Sequence, residues 1–128
     1  MIPGNDLIQL NFINTFPCEV NVDYSVANEN NTIPINALSY EFVQDLKANQ
    51  TIYARAVFKD SSCADLLEHD TGTIELGKGS ETLGYSIIIT ERDSKLVMAR
   101  LNNEEQLEKS EMGQPSVAWV INYYGSNC

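Results

Sequence analysis

The only imidazole in the chain, His69, stands among carboxylates in Asp65-Leu66-Leu67-Glu68-His69-Asp70. Two kinds of chemistry would use such a set: proton abstraction by His69 with Asp70 orienting the ring, or capture of Ca²⁺ or Zn²⁺ by Asp65, Glu68 and Asp70. Catalytic zinc requires three protein ligands in fixed geometry, and nucleophilic catalysis requires hydroxyl, imidazole and acid on rigid elements. Here Ser61, Ser62 and His69 fall in one polar stretch. It reads as a solvated acidic loop with no catalytic residue and no metal; Asp65, Glu68 and Asp70 are kept only as cation candidates, and no cofactor is expected.

The segment Gly72-Thr73-Ile74-Glu75-Leu76-Gly77-Lys78 matches most of the phosphate-cradling pattern G-x-x-x-x-G-K-[ST]. It departs where the chemistry is needed. Position 79 is Gly rather than a magnesium-ligating hydroxyl, the middle alternates like a strand, and no helix follows to aim its dipole at a phosphate. A strand entering a hairpin turn is expected instead. Arg55, Arg92 and Arg100 are spread along the chain and read as solvent ion pairs. Trp119, Tyr123 and Tyr124 place three large aromatics in the last apolar segment, and alternation sets Trp119 and Tyr123 on one face with Tyr124 on the other. Such rings stack on sugars or anchor protein interfaces. These three are the binding candidates, although a core Trp beside an edge Tyr is the commoner arrangement.

The elements that must position these residues belong to a chain of 128 residues, enough for one domain that buries about two thirds of the surface of its unfolded form. Eight Lys and Arg stand against eighteen Asp and Glu, a formal charge of −10. Nucleic acids and anionic membranes bind through clustered cations that release counterions, and this chain has no such cluster, so neither is expected as a partner. The longest uncharged apolar run is far shorter than a spanning helix, and no membrane insertion is expected. Met1-Ile2-Pro3-Gly4 has neither basic n-region nor apolar h-region. The expectation is a mature form, secreted or periplasmic, which two N-glycosylation triplets at Asn30 and Asn49 also favour.

Cys18, Cys63 and Cys128 are an odd set without C-x-x-C spacing, which excludes a zinc knuckle or a thioredoxin-type pair. Cys18 and Cys63 follow strands in polar surroundings, where cysteines are better read as disulfide partners in an oxidising compartment. A Cys18–Cys63 bridge is favoured and a Cys63–Cys128 pairing is its rival. In the first case Cys128 is free or links two chains as a disulfide-bonded dimer.

Period-two alternation with turn residues between predicts eight short strands, over 7–13, 19–26, 38–43, 51–58, 73–76, 83–90, 95–101 and 117–123, hence an all-β sandwich or barrel. Residues 28–32 and 60–65 read as loops, and 92–94 as a turn. Asn102 to Lys109 begins with a capping amide and pairs Glu105 with Lys109, so one short helix near 103–109 is plausible beside a solvated loop. Ile13-Asn14 near the start is echoed by Ile121-Asn122 near the end. One domain over 1–128 accommodates this echo, with 117–128 its closing strand or the start of a second repeat.

The order Asn14-x-x-Pro17, Val20-Asn21-Val22-Asp23-Tyr24, a Leu38-Ser39-Tyr40 strand, Tyr53-Ala54-Arg55-Ala56-Val57, then Gly72 to Gly79 leading to an apolar strand through Tyr85, resembles the DUF4397 family. The likeness runs over Ile8 to Leu101 and resumes at Val117. The three cysteines and the Ala48-Asn49-Gln50 turn depart from that pattern. The resemblance implies a secreted or cell-surface immunoglobulin-like antiparallel sandwich of about seven to eight strands, often in tandem, whose biochemical role is not defined. With no catalytic constellation in the residues, the expectation is a non-enzymatic recognition or structural module binding a protein or glycan outside the cell or in the periplasm. The alternatives are a carrier of a small apolar ligand between the sheets, or an accessory subunit of an exopolysaccharide-modifying complex, because the alginate O-acetylation accessory family has a similar sandwich.

Overall fold

Alternation through Val20-Asn21-Val22-Asp23-Tyr24-Ser25-Val26 is that of a strand with one wet face. In the computed structural model of the protein Val20, Val22 and Val26 are buried and Asp23 is exposed. The structure describes residues 7–26, 28–47, 51–76 and 84–100. Among them run β1 (Leu7–Asn14), β2 (Val20–Val26), β3 (Glu29–Ile35), β4 (Tyr40–Lys47), β5 (Ile52–Phe58), the one-turn helix α1 (Ser61–Ala64), β6 (Thr71–Leu76), β7 (Gly84–Arg92) and β8 (Lys95–Arg100).

Sheet A has the order β4-β1-β7-β8 and sheet B the order β3-β2-β5-β6. The two sheets face each other across a shared apolar core. Leu10, Phe12, Ile87, Ile89, Leu96 and Met98 come from sheet A, while Val20, Val22, Ile35, Ile52, Ala54 and Ala56 come from sheet B. Phe16 closes one end by an edge-to-face contact with Phe58, ring centroids 4.9 Å apart. The chain thus forms the expected all-β sandwich, built here of two four-stranded sheets.

One pairing departs from the expected antiparallel design: β1 runs antiparallel to β4 but parallel to β7, with Phe12 opposite Ile87. Parallel neighbours need a long crossover, and the whole run from β2 to β6 supplies it. The tight connections lie at the hairpins. Asp93 and Ser94 join β7 to β8 with φ of 53° and 62°, the left-handed pair that suits the twist of a two-residue turn, and they fall within the turn expected at 92–94.

Two segments expected to be loops are ordered elements. Glu29–Ile35 is an edge strand on β2, with Val22 opposite Ile33 and Asp23 opposite Thr32. Its run of exposed Glu29, Asn30, Asn31 and Thr32 hides the alternation, because an edge strand buries few of its side chains. Residues 61–64 form α1, whose N-cap Asp60 accepts hydrogen bonds from the Ser62 amide at 3.1 Å and hydroxyl at 2.6 Å. Those bonds hold the Asp60 carboxyl below its ordinary pKa. The helix expected near 103–109, the closing strand at 117–123 and the Ile121-Asn122 echo lie outside the described residues.

Two interior features explain residues whose roles were not apparent. Asn14 is fully buried; its Nδ2 donates to the carbonyls of Cys18 (2.8 Å), Asn36 (3.1 Å) and Ile35 (3.4 Å), and its Oδ1 accepts from the Phe16 amide at 2.9 Å. One amide side chain therefore ties the end of β1 to the end of β3 across the two sheets. Asn14→Ala takes this partner from the buried Phe16 amide and Ile35 carbonyl and cuts the tie to Cys18 and Asn36, and a loss of about 2–4 kcal/mol in urea unfolding is expected. A change under about 0.5 kcal/mol would show that the lock is dispensable. Gly72 is the second. A Cβ there would sit 2.6 Å from the Leu96 carbonyl oxygen, so this glycine serves close passage of β6 against β8 rather than a phosphate loop.

Candidate functional site

Where the core face of sheet B takes Val22, Ala54 and Ala56, the opposite face receives the residues between them. The register lines these up in rows across four strands. Thr32 of β3, Asp23 of β2, Arg55 of β5 and Thr73 of β6 form one row; Asn30, Ser25, Tyr53 and Glu75 form the next. Adjacent strands lie about 4.8 Å apart, so each row crosses the sheet in about 14 Å. Between the rows lies an open groove of ≈ 380 Å³, lined by Asp23, Ser25, Asn30, Thr32, Tyr53 and Arg55 among others.

Tyr53 is 53% exposed, a large ring standing between the polar side chains of Ser25 and Glu75 in its row. Glu75 lies opposite it on β6 and raises the phenol pKa above its ordinary value, through hydrogen bonding first and its charge second. Asp23 is held from the other side, its Oδ1 accepting the Thr32 hydroxyl at 2.6 Å. That bond turns the carboxylate toward β3. Although Arg55 lies directly opposite Asp23 in the ladder, it makes no ion pair among the described residues.

The arrangement offers a stacking ring, a guanidinium fork, a carboxylate acceptor and several hydroxyl and amide groups on a rigid sheet. It suits binding of a flat, hydroxyl-rich ligand. Recognition on a sheet face is precise because each side chain stands on a hydrogen-bonded strand.

The residues singled out from the sequence are distributed elsewhere. Cys18 and Cys63 form a disulfide, with Cα atoms 6.3 Å apart, which leaves no partner role for Cys63 with Cys128; Cys128 itself lies outside the described residues. Asp65, Glu68, His69 and Asp70 are all exposed, and the backbone of this segment is tied to β8 by the Glu68 amide donating to the Ser94 carbonyl at 2.7 Å and the Leu96 amide donating to the His69 carbonyl at 2.8 Å. Among the described residues no group of three or more His, Cys, Asp or Glu converges on a cation position. Arg92 and Arg100 sit at opposite ends of the β7–β8 hairpin, away from Arg55 on sheet B. Asn30 is exposed on β3 at the groove itself. Asn49, Trp119, Tyr123 and Tyr124 lie outside the described residues.

The groove was not anticipated from the sequence. Alternation over 51–58 set Ile52, Ala54, Ala56 and Phe58 on one face, which already turned Tyr53 and Arg55 outward. The missing information was that β3 exists and that β2 lies beside β5. No protein-family model and no curated protein matches this chain.

Proposed function

We propose that this protein is a non-enzymatic recognition module that acts outside the cytoplasm and binds glycan across the outer face of sheet B. The observation that carries this reading is Tyr53, an exposed ring opposite Glu75 and bordered by Arg55, Asp23 and Asn30 in an open groove. Sugars present C–H faces to aromatic rings and hydroxyls to charged and amide side chains, and this surface supplies both kinds of partner. The Cys18–Cys63 bridge supports an oxidising compartment, as does the resemblance to DUF4397. Among the described residues no helix is long and apolar enough to cross a membrane.

Asn30 belongs to a glycosylation triplet and lines the groove. A sugar attached there would compete for the same face, so unglycosylated protein is the form to assay. Tyr53→Ala is expected to weaken binding to glycans that score on an array by about tenfold or more in isothermal titration. Its unfolding free energy should move by no more than about 0.5 kcal/mol, since the ring is half exposed. Undiminished affinity in the variant would overturn this site.

A further inference from the structure

We infer that the glycan taken by this face is uncharged and lies across the strands, along the row formed by Thr32, Asp23, Arg55 and Thr73. The inference rests on the glycan reading and narrows it to a ligand class. Three observations support it, and each bears on a different kind of ligand.

The first concerns polyanions. The chain carries a formal charge of −10, so a polyuronate or sulfated glycan meets repulsion over the whole surface as it approaches. A single guanidinium is a small local attraction against that field. The second concerns cations. A basic peptide or polyamine is drawn by the net charge, but in the groove it meets Arg55, whose guanidinium makes no ion pair among the described residues. Burying a second cation beside it is unfavourable. The third concerns the groove itself. The two charged residues that line it, Asp23 and Arg55, offset each other, with the Glu75 carboxylate outside the lining opposite Tyr53, and Asp23 and Arg55 make no ion pair with each other. Asp23 is turned to β3 by the Thr32 hydroxyl, leaving a free oxygen as an acceptor, while Arg55 presents donors in a planar fork. Vicinal sugar hydroxyls, each both donor and acceptor, satisfy the two side chains without bringing any net charge.

The direction follows from the same row. Tyr53 lies two residues from Arg55 on β5, about 7 Å along the strand, so the ring flanks the row as a wall and a sugar seated on it reaches the Arg55 fork. Among the described residues the row runs from Thr32 on the edge strand β3 to Thr73 on the edge strand β6. An internal stretch of a polysaccharide can therefore lie through the groove.

The test is affinity electrophoresis in native gels cast with galactomannan, xyloglucan, mixed-linkage β-glucan or dextran on one side, and with alginate, polygalacturonate or hyaluronate on the other. Retardation is expected in at least one neutral gel and in no acidic gel. Titration with the retarding polysaccharide is expected to give an affinity that changes less than about twofold between about 20 mM and about 300 mM NaCl, because no net charge is screened. Tyr53→Ala and Arg55→Ala, both at exposed positions, should each weaken it about tenfold. Retardation by an acidic gel that Tyr53→Ala abolishes would overturn the uncharged class and leave the glycan reading standing. No retardation in any gel, or retardation that Tyr53→Ala leaves intact, would overturn both.

Discussion

Val22→Asp is expected to unfold this domain, whereas Asp23→Ala is expected to leave it folded. Val22 is fully buried, between Ile33 on β3 and Ala56 on β5, and it faces the shared core of the two sheets. A carboxylate in that position has no hydrogen-bond partner and no cation, and leaving a polar group so placed costs several kcal/mol even when it takes up a proton. Domains of this size are stable by only about 5–15 kcal/mol, so the loss removes much or all of the margin. Asp23, one residue on, is exposed and loses only its bond to the Thr32 hydroxyl, a change of about 1 kcal/mol or less. Circular dichroism and urea unfolding of the pair separate the two cases. Equal midpoints would contradict the packing of β2 against the core.

The second large effect is the disulfide. Cys18 follows β1 and Cys63 sits buried in α1, and the bridge closes a loop of 45 residues that contains β2, β3, β4 and β5. Constraining an unfolded chain over that length stabilises the folded state by roughly 4 kcal/mol in the chain-entropy account. Reduction, or the double substitution Cys18→Ser with Cys63→Ser, is therefore expected to lower the melting temperature by on the order of 10–20 °C. A non-reduced digest should yield one linked peptide carrying Cys18 and Cys63. Identical melting with and without reductant would show that the sheets alone carry the stability, and free alkylation of Cys18 in the non-reduced protein would remove the bridge.

Much of the sandwich was legible because burial imposes a period of two on any strand with one wet face. Val20, Val22 and Val26 on β2, and Ile52, Ala54 and Ala56 on β5, could be set facing inward from their spacing, and they do face inward. Local backbone chemistry was equally readable at Asp93-Ser94. The pairing of Cys18 with Cys63 came from composition and position, with Cys128 its rival, and the bridge decides between them. The fold as a class and the covalent link are thus local or compositional properties that survive without knowledge of which strands touch.

What tertiary structure alone decided depends on neighbours distant in the chain. Glu29 to Thr32 carry no alternation, so β3 exists only because β2 offers it a ladder. Asn14 and Gly72 look unremarkable as residues; one is a buried lock between the sheets, the other the gap through which β6 passes β8. The candidate site is the clearest instance. Asp23, Asn30, Arg55, Tyr53 and Thr73 come from four strands, and no spacing between them in the chain marks them as a set. Periodicity can say that each points outward, because that follows from its own strand, but the register that brings them together is set by the order of strands in the sheet. Strand order arises from long-range pairing and core packing, which no local pattern encodes.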